Sequence, residues 1–242
     1  NINSMEEEVN EIVKKSEINI DPVRMIKDVP TADPKDRTSF TINETLMVEE
    51  NKRIEFKNYS YPLLEKPRCI IIKTICGLLN SEGGRIYIGV NDSGVVVGMY
   101  LNSKQRDNFK NELFNYSRDF FPSCRTEKFD AYFIPVKSKQ GKYINNCYVT
   151  KLVIKQGDTD KLYSTNKNSY NSFIRMDGQV VALNSEEIAN YIIKRSKNPA
   201  AQVDESYYND PIPEKPYEKE VKGSNSNIIE DFQLEENSNI NT

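Results

Sequence analysis

The sequence predicts an α+β domain, a mixed or antiparallel sheet with packed helices, on three observations. Residues 50–99 read as strand, helix, strand, turn and strand. Two later stretches, 130–154 and 172–183, carry the alternation and turn residues of hairpins. Helical spacing of apolar residues returns over 103–119 and 184–195. With 242 residues, 37% of them hydrophobic, the chain holds one domain of roughly 150 residues plus tails. The expected organisation is an acidic N-terminal extension over 1–41, the domain over 42–197, and a flexible acidic tail over 198–242.

In chain order, Ser4 caps a short helix with acids in its first turn and Met5, Val9, Ile12 and Val13 on one face. Its polar face is largely acidic, so it suits docking on its own core or on a partner rather than on a membrane. From Asp21 to Arg37, prolines and charges without periodicity suggest an extended linker. In the KRIEFK stretch, Ile54 and Phe56 alternate with Arg53, Glu55 and Lys57, so a strand buries one face and gathers Glu55 and Lys57 on the other. Pro67 stands where a helix can begin, and Ile70, Ile71, Thr74, Ile75, Leu78 and Leu79 repeat at helical spacing until Asn80 and Gly83-Gly84. RIYIGV is the next strand, Asn91-Asp92-Ser93-Gly94 a turn, and Val95, Val96 and Val97 the returning strand, which places Asp92 at a hairpin mouth.

Ser103 opens a helix to about Asp119, with Phe109, Leu113 and Phe114 inward and Phe120-Phe121-Pro122 as its end. Lys104, Arg106 and Lys110 on this helix are candidate phosphate contacts, or simply a solvated face. The strands over 130–136 and 143–154 meet at a basic tip, Lys137–Lys142, which adds Lys139 and Lys142 to those candidates. Arg85, and Arg175 beside the Asp177-Gly178 turn, complete the set. Two readings of Tyr163 and Tyr170 stand: rings that stack on unpaired bases, or half-buried strand tyrosines. Asn184-Ser185-Glu186-Glu187 opens the last helix with a capping box, continued by Ile188, Tyr191 and Ile192 and closed by Lys194-Arg195. Beyond Asn198, polar and acidic residues and proline dominate, with Ile228, Ile229, Phe232 and Leu234 as one short docking motif.

Several function classes drop out. No apolar stretch approaches the ~20 residues of a membrane span and no signal-type apolar region opens the chain, so an intracellular, cytoplasmic protein with no membrane partner is expected. The absence of histidine removes any His-based general base or triad. A structural zinc site would need all of Cys69, Cys76, Cys124 and Cys147, yet the first two lie in an apolar helix and read as core. Gly83, Gly84 and Gly89 follow a helix and open a strand, the reverse of a dinucleotide loop, and no G-x-x-x-x-G-K-[ST] occurs, so ATP has no local support. The net charge of −3 divides unevenly: 1–45 hold 6 Lys/Arg against 10 Asp/Glu, 198–242 hold 3 against 10, and 46–197 hold 24 against 16. A basic core between acidic ends fits a polyanion partner, although surface lysines also serve solubility.

Glu50, then Glu55-Phe56-Lys57 five residues on, then Leu79-Asn80-Ser81-Glu82-Gly83-Gly84, Tyr87-Ile88-Gly89-Val90-Asn91-Asp92-Ser93-Gly94 and Val97-Gly98 together resemble the Schlafen core domain, also called the AlbA_2 or divergent AAA-4 domain. The resemblance is strong over 50–99 and extends to about Arg195, where SYNSFIRMDGQVVALNSEEIANYI is similar to the family's closing strand pair and last helix. It implies a metal-dependent endoribonuclease acting on structured or small non-coding RNA, tRNA-like or a piRNA precursor within a complex. Carried over position by position, the family's metal-binding catalytic set falls on Glu50, Glu55 and Asp92, with Mg²⁺ or Mn²⁺ as cofactor. The family often has aspartate where this chain has Asn91, a neighbour of that set. The vertebrate nucleases place two such lobes in one chain; this chain has one, which implies a homodimer or a heteromer with another Schlafen-like chain.

The chemistry agrees with that assignment. Phosphodiester hydrolysis needs an activated water and relief of charge on a pentavalent transition state, and carboxylates that hold a divalent ion supply both. Lys57, on the face of Glu55, is placed to stabilise the phosphorane or the leaving oxygen. Two alternatives stand beside this: Glu55 and Lys57 as a solvated strand edge with Asp92 as a turn former, and a nucleic-acid-binding or partner subunit without catalysis.

Overall fold

A computed structural model of the chain describes residues 34–166, 171–197 and 202–210. The described strands are β1 (Phe40–Thr41), β2 (Ile54–Lys57), β3 (Gly84–Ile88), β4 (Met99–Tyr100), β5 (Phe129–Lys137), β6 (Tyr143–Ile154), β7 (Phe173–Met176) and β8 (Gln179–Ala182). The helices are α1 (Glu65–Asn80), α2 (Ser103–Asp119) and α3 (Ser185–Lys197). The main sheet runs β1-β5-β6-β3-β2, with β4 also on β6, while β7 and β8 form a separate hairpin. β1 with β5 and β2 with β3 pair parallel and the remaining pairs antiparallel, so the class is α+β and the sheet is mixed. The expected helix over residues 4–13, Tyr170 and the apolar cluster at 228–234 lie outside the described residues.

Helix α1 makes the parallel crossover from β2 to β3. Its buried stripe, Ile71, Ile75, Leu78 and Leu79, packs with Ile86, Ile88, Leu152 and Ile154 on one side of the sheet. On the other side Phe40, Ile54, Phe56, Tyr87 and Val149 form a second cluster. Full burial of each such side chain stabilises the fold by roughly 1.5–3 kcal/mol. The helix starts at Glu65, two residues before Pro67; proline is tolerated there because first-turn N–H groups have no intrahelical partner. It ends where Asn80, fully buried, binds three segments at once. Its Nδ2 donates to the carbonyls of Tyr163 (2.8 Å) and Phe173 (2.9 Å), its Oδ1 accepts from the Tyr163 amide (2.7 Å), and its carbonyl accepts from the Tyr191 hydroxyl. Gly84, at φ 152°, then starts β3, and a Cβ there would run into the Arg53 carbonyl that receives the Arg85 amide.

Several expectations are corrected. Val95–Val97 return beside Gly89–Asn91, where the Asn91 amide donates to the Val95 carbonyl (3.0 Å) and the Val97 amide to the Gly89 carbonyl (2.9 Å), but as isolated bridges, Val90 to Val96 and Thr45 to Val95, rather than as a strand, with Gly89, Gly94 and Gly98 all at positive φ. Helix α2 is capped by Asn102 rather than Ser103, in a capping box with Gln105. The Asn184–Glu187 box opens α3 as read, with reciprocal bonds of 2.9 and 2.8 Å. Tyr163 is a core residue, buried in the first cluster. Among the described residues no helix is long and apolar enough to cross a membrane.

The folded unit also extends past both expected boundaries. Phe40 is buried and β1 pairs with the end of β5, so the domain begins before residue 42. Residues 202–210 form a strap across the sheet. The Tyr208 hydroxyl accepts from the Gln156 amide (3.0 Å) and donates to the Glu82 carbonyl (2.8 Å), and the Asp210 carboxylate pairs with Arg85 and Lys151. The acidic composition of this stretch reads as a solvated tail; buried cations on the sheet are what hold it down.

Candidate active site

An Asx turn sets the geometry. Asn51 Oδ1 accepts from the amides of Arg53 (2.8 Å) and Ile54 (3.1 Å), which lays Glu50 along the outer edge of β2, an edge strand of the sheet. There Glu50 Oε1 accepts from the Phe56 amide at 2.7 Å, filling an edge position that would otherwise face a missing strand. On β2, Ile54 and Phe56 enter the second core cluster, so Glu55 projects to the α1 side and is only 5% exposed. Lys57 Nζ lies 2.6 Å from Glu55 Oε1, 3.5 Å from Glu50 Oε1 and 2.7 Å from the Phe56 carbonyl. The other Glu55 oxygen is met by Arg175 of β7.

Arg175, expected in an open substrate cleft, is instead buried. Besides Glu55, its guanidinium donates to the carbonyls of Asn51 (3.0 Å) and Ile54 (2.9 Å), and its amide donates to Ser81 Oγ (2.9 Å). It is a positioning residue that holds the turn before β2 against β7. Glu55 is therefore neither a solvated edge residue nor a free one; it links two cations in a dry setting.

In front of this cluster lies a cleft of about 750 Å³ lined by residues 45–50, Phe56 and Asp92–Gly94. Glu49, Glu50 and Asp92 are its acidic members. Asp92 is exposed on the turn after β3, and Asn91 holds that turn, its Oδ1 accepting from the amides of Ser93 (3.1 Å) and Val95 (2.9 Å). The residue at position 91 thus serves the loop through its side-chain oxygen, a role that aspartate would fill equally well. Glu50 and Asp92 line one cleft, whereas Glu55 stands behind it with both oxygens facing cations. Among the described residues no three Asp, Glu, Cys or His side chains come together as a metal ligand set. As placed, Glu50, Glu55 and Asp92 do not form a preassembled divalent site.

Burial by itself would lower Lys57, but the hydrogen bond and charge of Glu55, with Glu50 behind it, outweigh that and hold its ammonium above the ordinary lysine range. The pairing therefore stabilises the fold fully below the ordinary lysine value of about 10.4 and loses that contribution only as pH rises through the higher folded value. The stability difference between wild type and Lys57→Met, measured by urea unfolding, is expected to be the same at pH 7 and pH 9. Tyr59, two residues on, was missed in the sequence although it continues the alternation from Glu55 and Lys57. Burial raises its phenol, Lys57 opposes, and Glu55 and Asp92 add to the rise, so it stays an O–H donor beside the acids.

The basic residues separate into groups. Lys104 and Lys110 are exposed on α2, and Lys139 and Lys142 are exposed at the β5–β6 tip. Arg106 is half-buried, stacked 4.7 Å from the Tyr148 ring and donating to the Leu101 carbonyl at 3.1 Å. Arg85, expected to face RNA, is covered by the strap. The structure brings Glu50, Glu55, Lys57 and Asp92 to one end of the β2–β3 pair and leaves the exposed lysines on other elements.

A crystal structure of the DIP2311 protein from Corynebacterium diphtheriae is similar at 12% identity and a TM-score of 0.43, over 74% of this chain and 32% of that one; this chain spans about a third of that protein's length. The family model described as Schlafen, AlbA_2 matches residues 50–184, the span from Glu50 of the cleft to the cap of α3. With more than half of its length matched, the chain belongs to the Schlafen AlbA_2 family.

Proposed function

We propose that this domain is a Schlafen-type endoribonuclease whose reaction takes place in the cleft between the Glu50 turn and the Asp92 turn. Family membership supports a nucleic-acid-related role. The observation that carries the finer reading is that two carboxylates, Glu50 and Asp92, line one cleft, and that Glu50 lies 3.5 Å from a cation, Lys57, held in place by Glu55. In this reading Asp92, which has no hydrogen bond or ion pair among the described residues, takes the proton from the attacking hydroxyl. Lys57 offsets the charge that develops on the phosphorane. Glu55 and Arg175 position Lys57 and the β2 edge. Lysines on α2 and the β5–β6 tip hold the RNA backbone, and a second Schlafen-like lobe, in a cytoplasmic homodimer or heteromer, completes the RNA-binding groove.

The cleft lined by Glu49, Glu50 and Asp92 is acidic, and Mg²⁺ or Mn²⁺ drawn to it would offset its repulsion of a phosphodiester, so the divalent ion is a variable of the test. The test is cleavage of end-labelled tRNA and of an unstructured RNA in Mg²⁺, Mn²⁺ or EDTA, by wild type and Asp92→Ala. Asp92 is exposed, so the variant is expected to melt with the wild type while losing about 10²–10⁴-fold in rate. A second reading, an RNA-binding subunit without catalysis, is favoured by one observation: both Glu55 oxygens already face cations. RNA binding without cutting by either protein, in any metal and after mixing with candidate partner chains, would replace the nuclease by that reading.

A further inference from the structure

We propose that the sheet face beneath the C-terminal strap is a phosphate-binding site, and that the strap's Asp210 carboxylate and Tyr207 ring fill it here in place of a phosphate group and its base. Arg85 on β3 and Lys151 on β6 lie on adjacent antiparallel strands, Arg85 opposite Val153 and Lys151 opposite Tyr87. This puts both cations on the Tyr87 side of the sheet, opposite to Glu55, so the site stands independently of the nuclease reading. Both are 0% exposed. Two like charges side by side are costly to bury, and an oxyanion above them is what makes the arrangement tenable.

Asp210 supplies that oxyanion. Its Oδ2 lies 3.0 Å from Arg85 Nε and 2.7 Å from Lys151 Nζ, and its Oδ1 lies 2.5 Å from Arg85 Nη2. A guanidinium fork plus a point ammonium on one small anion is a geometry suited to phosphate. Lys151 also donates to the Lys35 carbonyl (2.9 Å), and Arg85 to the Tyr207 carbonyl (2.6 Å). The Tyr207 ring centre is 4.5 Å from the Arg85 guanidinium carbon and 4.6 Å from that of Arg53, with the Lys35 ammonium at 5.7 Å. A nucleobase stacks on guanidinium planes in the same way. An aromatic ring and an anion three residues apart thus reproduce the two recognition elements of a nucleotide. Burial would push the Asp210 carboxyl up, but Arg85 and Lys151 outweigh it and hold it below the ordinary carboxylate range, so it remains a charged competitor at neutral pH. The strap is one short segment anchored by Tyr208, and such elements open more readily than the strands beneath them.

The test uses the full chain and Asp210→Ala, which leaves a carboxylate-sized space above both cations. Melting curves are taken in inorganic phosphate and in sodium chloride of equal ionic strength. The variant is expected to gain several degrees in phosphate over the chloride control, and the wild type none. In a second arm, anisotropy of a labelled eight-nucleotide oligoadenylate is expected to show at least 10-fold tighter binding by Asp210→Ala, with a log–log salt slope steeper by about 1.4 for two added contacts on a single strand. A phosphate response without the oligoadenylate gain supports the site and assigns it to small phosphate compounds. No phosphate response overturns the proposal, whatever the oligoadenylate does. Should Asp210→Ala fail to fold even in phosphate, Tyr208→Phe removes the hydroxyl that ties down the strap and leaves Asp210 in place. Melting of Tyr208→Phe that gains nothing in phosphate over the chloride control then overturns the proposal.

Discussion

Glu55→Ala is expected to abolish cleavage and also to lower the stability of the fold by about 3–5 kcal/mol, the range for removing one partner of a buried ion pair. The glutamate stands between Lys57 and Arg175, both largely buried, and its removal leaves two cations facing one another across an apolar setting. The measurement is urea unfolding alongside cleavage. Arg175→Ala made in the Glu55→Ala background should cost clearly less than it does alone, since the charge it would leave unpaired is already gone. A stability loss below about 1 kcal/mol for Glu55→Ala would mean that the cluster is solvated and that the burial argument for Lys57 fails. Because Asp92 is exposed and Asp92→Ala is expected to melt with the wild type, the two variants separate lost chemistry from lost structure.

Asn80→Ala is the second large effect, a loss of about 3 kcal/mol or more, with each buried polar group left unpaired costing roughly 1–3 kcal/mol. The truncation strands the Tyr163 amide and the Phe173 carbonyl and leaves the Tyr163 carbonyl only the Cys76 thiol, and these groups belong to separate segments packed on the end of α1. Asn80→Asp is not a rescue: it keeps the acceptor for the Tyr163 amide but turns the donor to both carbonyls into an acceptor. Thermal unfolding of the two variants tests the role of Asn80. Melting of Asn80→Ala within a degree or two of wild type would show that water satisfies these groups and that the node is not a node.

Much of the scaffold was legible because its signals are local. Periodicity placed α1, α2 and α3 within a few residues, and the reciprocal Asn184–Glu187 cap was readable from four letters. The turn at Asn91–Gly94 was legible too, but its strand partner was not. Val95 and Val96 answer to residues 44 and 45, and no local rule announces that an earlier loop will reach the turn first. The same limit governs the site. The spacing of Glu50, Glu55 and Lys57 fixes which side of β2 each occupies, whereas the Arg175 that closes over Glu55 bonds to Ile54 across 121 residues of sequence. The strap was the least legible element, since acid-rich composition carries the same meaning whether the acids meet water or buried cations.

That strap is also remote in the order of synthesis. Its bonds to Arg85 and Glu82 span 122 to 126 residues, whereas the β5–β6 hairpin closes on a few. At ~5–20 residues per second, roughly 3 to 11 seconds pass between the making of Ile154 and of Asp210. Asp210, which covers Arg85 and Lys151, is therefore made after every described strand, so in order of synthesis these two buried cations gain this carboxylate last among the contacts described for the sheet.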